Sequence, residues 1–230
     1  MKIARSTVLA MLFAAASQAV TIDSFTDTET GSPTIIPRNA LGSDTVFDDL
    51  VTGVIGGQRI TTVTASVLDQ PGVDIVQGGI FPTAGVFDYS SSAGATGEAR
   101  LTYRNTDGVD GLDANLSGDA FVRIDVTHFN FASSIPMAVE LILDDGTDSA
   151  SLTKQLVTAG PQQLDFLFSQ FPAGDFANLD LTDIDRIDVI FSAGQSTDFR
   201  ISSITSVPEP ASLTLMLIGS LTLLRRTNRR

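Results

Sequence analysis

Aspartate is the side chain with which this sequence could do the most chemistry. Two stretches put carboxylates on glycine-bearing turns: Asp107-Gly108-Val109-Asp110-Gly111-Leu112-Asp113 and Asp144-Asp145-Gly146-Thr147-Asp148. Clustered hard oxygens are what calcium takes as ligands, which makes Asp145 and Asp148 candidates. Neither stretch follows the calcium loop that ends in glutamate, and aspartate forms turns in its own right, so turn chemistry is the simpler expectation. His128 is the sole histidine, so a histidine general base would have to be this residue. Its alternation with Val122, Ile124 and Val126 puts it on the core face of a strand, where a structural, hydrogen-bonded role is expected. No Gly-x-Ser-x-Gly elbow occurs. Paired carboxylates can hydrolyse glycosides, but among 27 acidic residues pairs arise by chance. Nothing specific calls for an enzyme.

The elements that must position these groups read as β throughout. Thr61, Val63, Ala65 and Val67 alternate with Ile60, Thr62, Thr64 and Ser66, and Ala99, Leu101 and Tyr103 with Arg100, Thr102 and Arg104, as in half-buried strands. After His128, Phe129 and Phe131 take over the apolar role, a one-residue slip that predicts a β-bulge. Val139, Leu141 and Leu143 lead into a hairpin at Asp144-Asp145-Gly146. Further strands are expected at 152–157, at 164–168, at 187–191 and at 199–204, with one helical turn in 173–181. Residues 26–45 and 90–97 read as irregular connections. The pattern predicts an all-β antiparallel sandwich or jelly roll. With no cysteine, disulfides, thiolate zinc sites and cysteine nucleophiles are excluded.

Both ends look like addresses. Lys2 and Arg5 precede an apolar block from Val8 to Ala16, and Ser17 and Ala19 supply the small residues that a signal peptidase reads, so cleavage after Ala19 is expected. At the other end Pro208-Glu209-Pro210 precedes an apolar run at 211–224 and the basic Arg225, Arg226, Arg229 and Arg230. The prolines keep the chain extended and out of a helix or central strand. As a helix the run would span about 21 Å, short for a bilayer core of about 30 Å. This tail resembles the PEP-CTERM sorting signal of Gram-negative bacteria. The resemblance implies handling by an exosortase, a membrane-embedded protease, with transient inner-membrane insertion through 211–224 and the arginines on the cytoplasmic side. The expected organisation is a signal peptide at 1–19, a β-sandwich at 20–206 and a sorting signal at 207–230.

Six of the 14 basic residues lie in 1–19 and 211–230, so the body from 20 to 210 carries eight against 27 acids, a net charge of −19. Such a body repels nucleic acid and anionic lipid and attracts divalent cations.

The order of features in the body is similar to jelly-roll domains with a galactose-binding-like fold. The matching parts are Ile22-Asp23-Ser24-Phe25, the Phe121-to-Phe131 strand, Asp144-Asp145-Gly146, Ile184-Asp185-Arg186-Ile187-Asp188-Val189 and Thr197-Asp198-Phe199-Arg200-Ile201. In calcium-binding members the ion ties the first strand to the last, which implicates Asp23 and Asp198. Fold alone does not give function. The chain has no tryptophan and only Tyr89 and Tyr103, and its 14 phenylalanines fall mostly at core-facing positions, so a stacking glycan site is not evident. The expected protein is exported, non-catalytic and surface-sorted, in an exopolysaccharide or biofilm matrix as hosts of the PEP-CTERM signal tend to make. The alternatives are a carbohydrate-binding module, in which calcium could assist, and a secreted hydrolase.

Overall fold

The computed structural model describes residues 19–32, 34–49, 51–106, 111–131 and 136–209. Most of the expected signal peptide, Pro210, the 211–224 segment and the basic tail lie outside the described residues. Among the described residues no helix is long and apolar enough to cross a membrane.

Strict alternation builds two antiparallel sheets that face each other. One holds β11 (Gln162–Leu167), β8 (Asp119–Phe131), β13 (Thr197–Pro208), β6 (Val86–Ser91), β5 (Val76–Phe81) and β2 (Thr34–Arg38) in that order, with β1 (Val20–Asp23) pairing the far half of β13. The other holds β10 (Ser149–Leu156), β9 (Met137–Asp144), β12 (Arg186–Ala193), β7 (Ala95–Asn105), β4 (Gly57–Leu68) and β3 (Gly42–Asp48). Among the described residues the one α-helix, α1, is a single turn at Ala173–Phe176, inside the stretch expected to be helical. The protein is therefore an antiparallel β-sandwich of the jelly-roll type.

The inward-facing residues fill the space between the sheets. Phe191 of the six-stranded sheet meets Phe199 and Phe87 of the seven-stranded one, with ring centroids 4.8 and 6.2 Å apart. All three rings are fully buried, and removing one would cost about 3–5 kcal/mol.

Five sequence expectations need correction. The stretch at 26–45 contains β2 and most of β3, and 90–97 is a tight hairpin between β6 and β7. Their high Thr, Ser and Gly content reflects an exposed edge and a short turn rather than irregular backbone. The expected bulge near His128 is present, since Arg200 pairs with His128 while Ile201 pairs with Val126. It leaves Thr127 unpaired, so His128 points to solvent and Phe129 to the core, and the expected core-facing histidine is not found. A second bulge between Ala65 and Val67 does the same in β4, exposing Val67 and burying Leu68. Finally, Pro208 closes β13 opposite Asp119, behind a register shift. At a strand's last position its missing N–H breaks no continuing ladder.

Candidate functional site

Asp23 and Asp198, implicated by the resemblance as ligands of one ion, are not brought together. Asp23 lies opposite Ile204 on β13, six residues from Asp198, or about 20 Å along the strand. The Asp23 carboxylate is also fully engaged. It accepts two hydrogen bonds from Arg59 Nη1 at 3.0 and 2.9 Å, one from Tyr103 Oη at 3.0 Å and one from Phe25 N–H at 2.7 Å. Arg59 Nη2 donates to Asp48 Oδ2 at 3.1 Å and to the Asp27 carbonyl at 2.8 Å. Burial works against the Arg59 charge, but Asp23, Tyr103 and Asp48 outweigh it and hold the guanidinium above its ordinary value. Burial also pushes the Asp23 carboxyl upward, with Arg59 the main force pulling it back. Arg59 thus supplies the cation itself and ties β1 of one sheet to β3 and β4 of the other. Its place was legible, since it shares a face with Thr61, Val63 and Ala65.

Asp107 to Asp110 lie outside the described residues, but the end of that stretch, 111–113, meets the second aspartate-rich turn. Leu112 N–H donates to the Asp185 carbonyl and Asp185 N–H to the Asp144 carbonyl, each at 2.8 Å, so the 111–113 segment and the β9–β10 hairpin flank 183–185. Asp113, Asp183 and Asp185 each offer an oxygen within 4.8 Å of the others. Glycine makes room here, because a Cβ at Gly111 or Gly146 would collide with the Asp185 carboxylate. Burial and the neighbouring charges of Asp183, Asp113, Asp144 and Asp145 raise the Asp185 carboxyl above its ordinary value. Such a donor set suits a hard cation such as calcium. Asp145 is spent differently. It accepts N–H bonds from Thr147, Asp148 and Asp180 at 2.9, 2.6 and 2.8 Å, which lowers its carboxyl and makes it a turn former. Asp148 is exposed in the same turn. The sequence reading missed Asp183 and Asp185, although the spacing Asp183-Ile184-Asp185 puts both on one side of an extended chain.

The solvent face of the seven-stranded sheet carries the most extended array of polar groups. Strand register sets Ile35, Gly79, Asp88, Arg200 and His128 in one lateral line across β2, β5, β6, β13 and β8. The adjoining line is Pro37, Gln77, Ser90, Asp198 and Asn130. Arg200 Nε donates to Asp88 Oδ2 at 2.9 Å. Partial burial and the Asp88 charge raise the Asp198 carboxyl, with His128 pulling it back. A depression lies at each side of this band. One, of about 140 Å³, sits among Ile35, Gln77, Gly78, Gly79, Phe81, Asp88 and Ser90. The other is an open groove of about 530 Å³ between β8 and β11, lined by Asp125, Thr127, Gln162, Gln163 and Ser202. Asp125 is held there by Gln163 Nε2 and Ser203 Oγ, each at 2.8 Å. Thr127 and Ser202, the residues left unpaired by the two bulges between β8 and β13, both line this groove. From β5 to β8 is three strand spacings, or about 14 Å. A face of this kind can hold an extended, hydroxylated molecule by many hydrogen bonds.

No protein-family model matches the chain, and no curated protein matches it. Solved structures to which it is similar include the family 11 carbohydrate-binding module from Clostridium thermocellum in complex with a β-1,3-1,4-mixed-linked tetrasaccharide. That likeness has 13% identity over 83% of this chain and 95% of that one, with a TM-score of 0.43. An agarase shares 9% identity over 84% of this chain and 25% of its own length, with a TM-score of 0.43. The module TmCBM61 in complex with β-1,4-galactotriose shares 9% identity over 82% of this chain and 99% of its own, with a TM-score of 0.30.

Proposed function

We propose that this is an exported protein without catalytic activity that holds polysaccharide at the cell surface or in an exopolysaccharide matrix, on the solvent face of its seven-stranded sheet. The observation that carries the reading is the pair of adjoining lines of hydrogen-bonding side chains, supplied by the four strands β5, β6, β13 and β8 and open to solvent between two depressions. Asp88 gives one carboxylate oxygen, Oδ2, to Arg200, and Asp88, Asp198 and His128 stand on three different strands of the face. That arrangement favours holding over cutting. Export rests on the terminal residues alone: signal peptidase cutting after Ala19, then exosortase acting at Pro208-Glu209-Pro210 while the 211–224 segment sits in the inner membrane.

Two measurements test the reading. Pull-down of the exported protein with its host's own polysaccharide should succeed and should weaken about tenfold for Arg200→Ala, the effect of losing a hydrogen bond to a charged group. Intact-mass analysis of protein from the host should show loss of residues 1–19 and of the apolar tail. Failure to retain polysaccharide, or release of reducing ends from it, would contradict the proposal.

A further inference from the structure

The depression over Gly79 is a hole one side chain wide in an otherwise covered sheet face. Gly79 faces outward in lateral register with Ile35 on one side and Asp88 on the other, while Gln77 and Phe81 flank it along β5. A Cβ at Gly79 would stand 2.2 Å from the Thr34 carbonyl oxygen and 2.9 Å from Ile35 Cα, so the close approach of β2 forbids any side chain there. The hole is therefore fixed by the backbone and cannot be closed from its own floor. Its walls divide by chemistry. Ile35, half exposed, and Phe81 are apolar, whereas Asp88, Ser90 and Gln77 accept or donate hydrogen bonds. At about 140 Å³ it is well under the roughly 300–1,000 Å³ of pockets for drug-sized ligands.

Building on the polysaccharide reading of this face, we infer that the hole is a subsite for one ring of a neutral hexose, the C–H face against Ile35 and Phe81 and the hydroxyls on Asp88, Ser90 and Gln77. A ring with an apolar face and a rim of hydroxyls meets both kinds of wall at once. The net charge of −19 on the body selects against uronic and sulfated sugars, because an anion there faces like charge. The subsite lies beside Arg200 on the same lateral line, so a chain seated in it runs on across β6 and β13 toward His128.

Two exposed substitutions test this without touching the core. Ser90→Tyr fills the hole from its rim, and Ile35→Asp replaces its apolar wall with a charge. Saturation-transfer NMR with free galactose and glucose should show contact with the wild-type protein and none with either variant. Affinity for neutral β-linked hexose oligosaccharides should fall at least about tenfold in both, with uronic oligosaccharides bound more weakly than neutral ones throughout. If oligosaccharide binding is lost in Arg200→Ala but unchanged in Ser90→Tyr and Ile35→Asp, the subsite is wrong and the reading of the face stands. If oligosaccharides bind and none of the three variants weakens them, both are wrong. Equal affinity for uronic and neutral oligosaccharides would overturn the assignment of a neutral ring.

Discussion

The two solvent faces of the sandwich use similar residues to different ends. On the six-stranded face the polar groups are spent on one another. Arg100 donates to the buried Asp188 at 3.2 and 2.6 Å, Arg186 reaches the same carboxylate at 3.2 Å, and Ser43–Thr64 and Thr45–Thr62 hydroxyls pair across β3 and β4 at 2.8 and 3.0 Å. On the seven-stranded face such pairing is confined to Asp88–Arg200 and to the β11 side, where Arg123 pairs with Asp165 and Gln163 and Ser203 hold Asp125; Gln77, His128, Asp198 and Asn130 lie in line between, and the relief includes a hole and a groove. A polar sheet face is thus a binding face only where its groups are left available and its surface has depth. Composition does not distinguish the two, since each offers arginine, aspartate and hydroxyls.

The comparison requires the two sheets to stay in fixed relation, and the largest expected effect concerns the residue that joins them. Arg59→Met leaves Asp23 and Asp48 buried without their cation, which should cost about 3–5 kcal/mol. For a domain of this size that lowers Tm by roughly 6–20 °C in a thermal melt. The loss should shrink as pH falls. With the guanidinium gone the folded state holds the Asp23 proton more tightly than the unfolded one, so acid favours folding of the variant.

A double dissociation sharpens the contrast between the faces. Arg100→Ala weakens the hold on the buried Asp188 carboxylate and should cost about 1–3 kcal/mol of stability with no change in glycan affinity. Arg200→Ala removes an exposed pair worth about 0–1 kcal/mol, yet it should lower glycan affinity about tenfold. Calorimetry for the one and affinity electrophoresis for the other would check both, and reversed outcomes would exchange the roles of the faces.

The smallest effect belongs to the acidic cluster between the faces. The Asp185 carboxyl is raised in the folded state, so the folded chain releases that proton later than the unfolded chain does. Its penalty is complete above the raised value and disappears as pH falls toward the ordinary carboxylate range. Asp185→Asn should therefore raise Tm by about 1–2 °C near neutral pH and by nothing in acid. Any stabilisation by calcium beyond that given by magnesium should vanish in the same variant and persist in Asp198→Asn, since Asp198 lies apart from the cluster.

How much of this was legible follows from what period-two reading can and cannot carry. Strands at 99–104, 122–126, 139–143 and 187–191 were plain because each alternates without interruption under a buried face. The reading failed at Val67 and His128 for one reason: a bulge adds a residue and reverses every later side chain. The slip was visible near His128, because phenylalanines mark both sides of it, and invisible at Val67, because Ser66-Val67-Leu68 fits either phase. Edge strand β3 was missed since an exposed edge has no apolar face to repeat. The candidate site was legible only in pieces. Each outward residue of the seven-stranded face looks like ordinary solvated surface, and only the pairing of β2, β5, β6, β13 and β8 sets them in line. Likewise the two aspartate turns stand out in the sequence, but their meeting at Asp185 depends on long-range register.

His128 offers the most direct test of the central claim, because the chain's only histidine sits on the proposed binding face, at the β8 end of its lateral line. Its imidazole gives a single side-chain signal in heteronuclear NMR, with nothing else to confuse it. Titrating the protein with its host's polysaccharide, or with a neutral oligosaccharide that calorimetry shows to bind, should shift that signal saturably along the same binding curve. A signal that stays fixed while the ligand binds would put the ligand elsewhere on the molecule and contradict the account.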